Sequence, residues 1–292
     1  MKIGFSSAAC PEWDLKTLVA KAALWGFDGV DLGGLRGDSS LRLPPELSDD
    51  CGAVRQLLSD HGVGCACLAA PATLTSWSRR TLVEQKGVVV EFMELARRLG
   101  CPCVRISAGT VDRWDTRQAA LARIAEALAS LAPVASRLEV TLLVENGGDF
   151  PGSADLWYLI DAVDHPAVRC CWNQCRAMTA LEGPTRSIPR LGSKIGLVHL
   201  CDADFNGDGV LLDYRPLGEG QVQIARQIEL LKGLMYDRYV IFHWPEMGLE
   251  SLPSPEAILP GVAALLKDCR EAKQPELSAY QGDKWAVKMV SP

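Results

Sequence analysis

Short β-forming runs alternate with amphipathic stretches along the whole of this chain, and that alternation constrains its fold more than any other feature. The runs are Lys2–Phe5, Gly29–Leu32, Gly64–Leu68, Cys103–Ser107, Thr141–Glu145, Val168–Trp172, Ile195–Leu200 and Tyr239–Trp244. Several are almost wholly apolar, such as Thr141-Leu142-Leu143-Val144, which suits parallel strands covered on both faces. Between them Leu15–Trp25, Leu82–Leu99, Arg117–Ser136, Ile224–Leu234 and Pro255–Ala272 read as helices, with another from Asp49 to His61. Gly62 and Gly100 stand where a helix C-terminus needs a left-handed residue. Repeated strand–helix units in 292 residues predict an α/β chain folded as a single (β/α)8 barrel. An open doubly wound sheet would carry a glycine-rich turn after its first strand, and Phe5-Ser6-Ser7-Ala8-Ala9-Cys10 has none. The barrel is expected over residues 1–273. Residues 274–292 lack a helical period and are expected to form an extended arm over the barrel or a neighbouring subunit, which points to a homodimer.

Charge and apolar distribution narrow the function classes. The formal net charge is -6, and the Lys and Arg residues are scattered rather than striped, which argues against a nucleic-acid partner. No run of 18 apolar residues occurs, and the first residues, Met1-Lys2-Ile3-Gly4-Phe5, read as a strand rather than a signal peptide. The expectation is a cytoplasmic protein with no membrane contact and a small-molecule substrate. Eleven cysteines, an odd number and mostly within apolar runs, are expected to be buried free thiols, and no CxxC pair exists.

Catalytic groups of such a barrel come from strand C-termini and the loops beyond them. Four consecutive strands end in polar residues: Glu145-Asn146-Gly147-Gly148-Asp149, Asn173-Gln174-Cys175-Arg176, His199-Leu200-Cys201-Asp202 and His243-Trp244-Pro245-Glu246. Of the four histidines, His61 and His165 fall at a helix end and in a loop, whereas His199 and His243 end adjacent strands. With Glu145 they make a two-histidine, one-carboxylate set.

These segments resemble the sugar phosphate isomerase/epimerase family, the xylose isomerase-like barrels related to AP endonuclease family 2. Val144-Glu145-Asn146-Gly147-Gly148-Asp149-Phe150 is similar to the family's strand-five metal motif, and Val198-His199-Leu200-Cys201-Asp202 to its strand-seven His-x-x-Asp motif. Tyr214-Arg215-Pro216-Leu217-Gly218-Glu219-Gly220 is similar to the loop that follows. The opening Phe5–Trp13 resembles the family's first strand and loop, and Ala279–Lys284 resembles one branch of the family. The resemblance implies a divalent metal held by Glu, Asp, His and Glu from strands five to eight, and proton transfer next to a carbonyl. Here Glu145 and His199 match, but Asn173 replaces the Asp, His243 replaces the last Glu, and Arg176 stands where a substrate-binding His is common.

The substitutions take the formal ligand charge from about -3 to -1, which weakens a hard oxygen-seeking ion. The implied metal ligands are Glu145, Asn173, His199 and His243, with Zn²⁺, Fe²⁺, Co²⁺ or Mn²⁺ as candidate ions and a metal-free centre as the alternative. Glu145, His243 and Glu246 are the candidate proton carriers. Arg105, Arg176, Trp172, Trp244, Asp202 and Arg215 are candidate substrate contacts, together with Lys194. The functional expectation is a divergent sugar isomerase or epimerase acting on a small polyhydroxylated or keto substrate. A lyase, dehydratase, cyclase or iron-type enzyme on the same barrel is the alternative, and a non-catalytic binding protein a further one. The Asp202-Ala203-Asp204-Phe205-Asn206-Gly207 stretch loosely fits a calcium loop, but it follows a strand and reads as a polar loop.

Overall fold

The structure is a computed structural model, described for residues 1–33, 45–244 and 253–272. Its strands in chain order are β1 (Lys2–Ser6), β2 (Gly29–Leu32), β3 (Gly64–Thr73), β4 (Cys103–Ser107), β5 (Thr141–Glu145), β6 (Val168–Asn173), β7 (Ile195–Leu200), β8 (Asp202–Phe205), β9 (Leu211–Arg215) and β10 (Tyr239–Phe242). All except β8 and β9 close into a parallel barrel in the order β1-β10-β7-β6-β5-β4-β3-β2. The expected (β/α)8 barrel is therefore what the chain forms. The β8–β9 pair is an antiparallel hairpin, which was not anticipated. Its turn is built by Asn206, whose Oδ1 accepts from the backbone N–H of Asp208 and Val210. That is a hairpin turn rather than a cation loop.

The helices are α1 (Leu15–Trp25), α2 (Pro45–Ser48), α3 (Cys51–Asp60), α4 (Arg79–Leu99), α5 (Arg117–Arg137), α6 (Ser153–Val163), α7 (Gln174–Met178), α8 (Pro184–Leu191), α9 (Ile224–Gly233) and α10 (Pro255–Glu271). Their starts follow ordinary capping chemistry. Asp14, Asp50, Ser78 and Thr116 each accept a hydrogen bond from the N–H three residues on. The helix α4 stops at Gly100, which sits at φ 72°. The helices α6 and α8 carry weaker signals. In α8, Pro184 suits the first turn, but Pro189 removes a backbone donor from the interior, so packing against α6 and α9 sustains it.

Two apolar layers follow from strand alternation. Outward-facing strand residues such as Val104, Leu142, Val144, Cys170, Val198 and Phe242 join the helices in one continuous core. Inward-facing Cys67, Cys103, Leu143, Cys171, Leu197 and Ile241 form a separate cluster inside the barrel. By length and composition α5 could cross a membrane, yet Ala120, Ile124, Leu128 and Leu131 bury one side of it in the outer layer. All eleven cysteines are free, and burial pushes the Cys103 and Cys170 thiols up to about 12. The arm expected over residues 274–292 and the expected proton carrier Glu246 lie outside the described residues.

Candidate functional site

One alternation step above the apolar interior cluster, the inward positions turn polar. Arg105 follows Cys103, Glu145 follows Leu143, Asn173 follows Cys171, His199 follows Leu197 and His243 follows Ile241, each two residues on. Asp31 of β2, two residues past Gly29, completes the layer. The register sets Asn173 directly beside His199, whereas His199 pairs with Ile241, Glu145 with Cys171 and Arg105 with Leu143, so around the barrel the polar layer climbs in two-residue steps. Asp31, Glu145, Asn173 and His199 are at most 1% exposed, and His243 is 6%.

His199 is the centre of this layer. Its Nδ1 lies 3.0 Å from Glu145 Oε1 and its Nε2 lies 2.9 Å from Asp31 Oδ2. A ring held between two carboxylates donates to both only when it carries both protons. Arg105 bridges the same two carboxylates, donating from Nη1 to Glu145 Oε2 at 2.7 Å and from Nη2 to Asp31 Oδ2 at 3.3 Å. Asn173 Nδ2 donates to Glu145 Oε1 at 3.3 Å, and Arg176 Nη1 reaches the same oxygen at 3.4 Å. The His243 ring stacks on His199, centroids 4.3 Å apart.

The charges follow from these contacts. Burial opposes ionisation of Glu145, but Arg176, Arg105 and His199 outweigh it and hold the carboxyl well below its usual range. At Asp31 burial is likewise outweighed by Arg105 and by the hydrogen bond from His199. Burial and then the neighbouring His199 push His243 well below the usual histidine range, so its ring is neutral. Among the described residues His243 Nδ1, Asp31 Oδ1 and Arg105 Nε are buried without a hydrogen-bond partner. One is an acceptor, one is a donor, and the imidazole nitrogen takes either role.

Backbone geometry supports the layer. Asn146 ties β5 to β6, accepting from Asn173 N at 2.7 Å and donating to Asn173 O at 2.9 Å. Asn173 also caps α7 by accepting from Arg176 N, which starts the turn that carries Arg176 to the mouth. A Cβ on Gly147 would lie 2.7 Å from Arg176 Nη1, so glycine there lets the guanidinium approach.

The structure brings together Glu145, Asn173, His199, His243, Arg105 and Arg176. It adds Asp31 and Asn146, which the sequence reading passed over; the period-two alternation that selects Glu145 and His199 also selects Asp31 in Gly29-Val30-Asp31-Leu32. Other expected residues lie elsewhere. Trp172 and Trp244 sit on the opposite parity to Asn173 and His243, so both rings turn outward into the helix-side core. There Trp172 Nε1 donates to Gln174 Oε1, and Trp244 packs edge-on against Phe242. Asp202 is fully buried, and its carboxylate accepts from the backbone N–H of Ala203, Gly218, Gly220 and Val222, clamping a loop. Arg215 is 44% exposed and pairs with Asp204 and Asp213, none of them in the cluster. Lys194 precedes β7, at the opposite end of the barrel, and pairs with Asp161.

The metal quartet implied by resemblance does not fit. Both Glu145 oxygens, both His199 nitrogens and the Asn173 amide are committed to one another, to Asp31 and to the arginines, and among the described residues His243 Nδ1 is the buried ligand atom of the quartet without a hydrogen-bond partner. Two groups do place ligand atoms within 4.8 Å of one another, as a site for an ion requires: Glu145, Cys171 and His199, in which burial holds the Cys171 thiol well above its usual range, and Asp31, His199 and His243. The second group uses Asp31 where Glu145 was expected.

A profile of the xylose isomerase-like TIM barrel family matches residues 19–269. No curated protein matches the chain. Among solved structures, the IOLI protein with a bound zinc atom superposes at a TM-score of 0.80 with 17% identity, covering 97% of this chain and 100% of its own. L-ribulose 3-epimerase superposes at 0.77 with 18% identity, covering 97% and 99%. The probable 3-DHS dehydratase AsbF of Bacillus anthracis superposes at 0.72 with 16% identity, covering 91% and 99%. At such identities the likeness is one of fold.

Proposed function

Because the chain belongs to the xylose isomerase-like TIM barrel family, we propose that it is an isomerase- or epimerase-type enzyme moving a proton next to a carbonyl of a small polyhydroxylated substrate. The observation that carries this reading is the neutral His243 ring, buried in the polar layer with Nδ1 unpartnered among the described residues. A base must be neutral and have a lone pair to offer. In this reading His243 Nδ1 takes the proton from the carbon beside the carbonyl. The C–H electrons move into the carbon–carbon bond, and the carbonyl π electrons onto oxygen. The N–H groups of Arg105 and Arg176 face the developing negative charge; protonated His243 then returns the proton to the adjacent carbon while the hydroxyl proton passes to the former carbonyl oxygen, which completes an isomerisation, whereas epimerisation takes a proton from solvent on the opposite face of the same carbon. The unpartnered Asp31 Oδ1 accepts from a substrate hydroxyl. Glu145 is held ionised by two arginines and His199, and so positions them rather than serving as the base. The fold likeness to a sugar epimerase supports the substrate class.

The test is proton exchange. Ketoses and keto-sugars are incubated with the protein in D₂O and followed by NMR for deuterium at the carbon beside the carbonyl. We expect incorporation that falls about 100-fold or more in His243→Phe. Exchange unaltered in that variant, or none with any ketose, overturns the reading. Loss of a hydroxyl from the product instead of exchange would support the dehydratase reading, to which the same proton abstraction leads when a β-hydroxyl departs.

A further inference from the structure

The centre of the polar layer is already filled by a cation. Arg105 lies between Asp31 and Glu145, donating to an oxygen of each, with its side chain 12% exposed. A divalent ion in such a barrel would draw the same carboxylates toward itself. Here both are neutralised by guanidinium groups, with Arg176 adding a third contact at 3.4 Å on Glu145 Oε1. We infer that Arg105 is the resident cation of this centre, standing in place of a divalent metal, so that the site takes no divalent ion and grips a hydroxy-carbonyl substrate through guanidinium N–H groups.

The Asp31–His199–His243 trio is the strongest rival, and its geometry favours the inference. His199 Nε2 lies against Asp31 Oδ2 at 2.9 Å, so a metal there must displace that contact. The same Asp31 oxygen lies 3.3 Å from Arg105 Nη2, which places any ion beside a permanent positive charge. The unpartnered atoms also differ from a metal cage. A cage presents acceptors alone, whereas here an N–H donor, Arg105 Nε, accompanies Asp31 Oδ1 and His243 Nδ1. A donor beside acceptors matches a carbonyl oxygen next to a hydroxyl.

The substrate grip rests on the proposed reaction, but the exclusion of a divalent ion does not, since its readout is ion binding rather than turnover. The full chain, dialysed against chelator and then freed of it, is titrated calorimetrically with Zn²⁺ and separately with Mn²⁺. Arg105→Met and Arg105→Lys are titrated alongside, with thermal melts to show that each folds. We expect no binding by the native chain tighter than about 100 μM, a site at least about tenfold tighter in Arg105→Met, and none in Arg105→Lys, which keeps the charge. Micromolar binding by the native chain that disappears in His199→Asn overturns the inference, whether or not the Arg105 variants fold. A folded Arg105→Met that gains no site removes Arg105 as the cause and also overturns it.

Discussion

At Glu145 three side chains besides Arg105 converge on one carboxylate, and the balance of charge there decides what each neighbour can do. Asp31 and Glu145 supply two negative charges; Arg105 and Arg176 supply two positive ones. His199 lies between the carboxylates, and His243, stacked on it, is left neutral by burial and by its neighbour's charge. The arrangement depends on completeness. Removing one partner of a buried ion pair leaves the other charged and unsolvated, at a cost of about 3–5 kcal/mol. Asp31→Ala is expected to destabilise the fold by that amount in urea melts, because it takes one partner from both Arg105 and His199. A loss below about 1 kcal/mol would show that Glu145 alone satisfies them.

Among the elements, the loop after β9 is held by Asp202, which the sequence offers only as a candidate substrate contact. Asp202 accepts four backbone N–H groups at 2.9–3.0 Å, and Gly220 is the one residue type that fits, since a Cβ there would lie 2.3 Å from Asp202 Oδ1. Burial raises the Asp202 carboxyl, and the four hydrogen bonds work against that rise. Asp202→Ala strands those donors and is expected to cost about 2–3 kcal/mol. Limited proteolysis should then cut first within residues 216–222; an unchanged cleavage pattern would mean that the loop is held by other contacts. The reason Asp202 misled is parity and chain path. It follows β7 directly in sequence but belongs to the next hairpin, so proximity to His199 in the chain does not make it part of the polar layer.

Across the whole molecule, the buried ionisable layer couples stability to pH. Asp31 and Glu145 have lowered folded-state pKa values, so the unfolded chain binds more protons than the folded one in acid. Their contribution is fully present above the ordinary carboxylate range of about 4 and is lost below it, as pH falls toward and through the lowered folded-state values. His243 is also lowered, so its neutral burial begins to oppose folding once pH drops below about 6.5. Urea melts between about pH 2 and 8, which reach below the ordinary carboxylate range of about 4, should show stability declining first below about 6.5 and more steeply below about 4. His243→Phe should remove the upper stage, and retention of that stage would place its origin in another group.

The chain's own pattern determined the barrel. Strand-length apolar runs spaced by amphipathic helices have few packings other than a closed parallel sheet with helices outside. The same pattern, with polar residues at strand ends, marked Glu145, Asn173, His199 and His243, and the family profile agrees with the fold. Strand parity was equally available from the sequence, and applying it to every strand would have added Asp31 and set Trp172 and Trp244 on the outer face. What only the tertiary structure decided is which charges meet. Asp31 and His199 are 168 residues apart in the chain and 2.9 Å apart in the barrel. Closure of the sheet brings β2, β4, β5 and β7 around one axis, and no local property of any of them records that Arg105 will reach both carboxylates. Side-chain charge balance is set by distance in space, and distance in space is a property of the closed barrel.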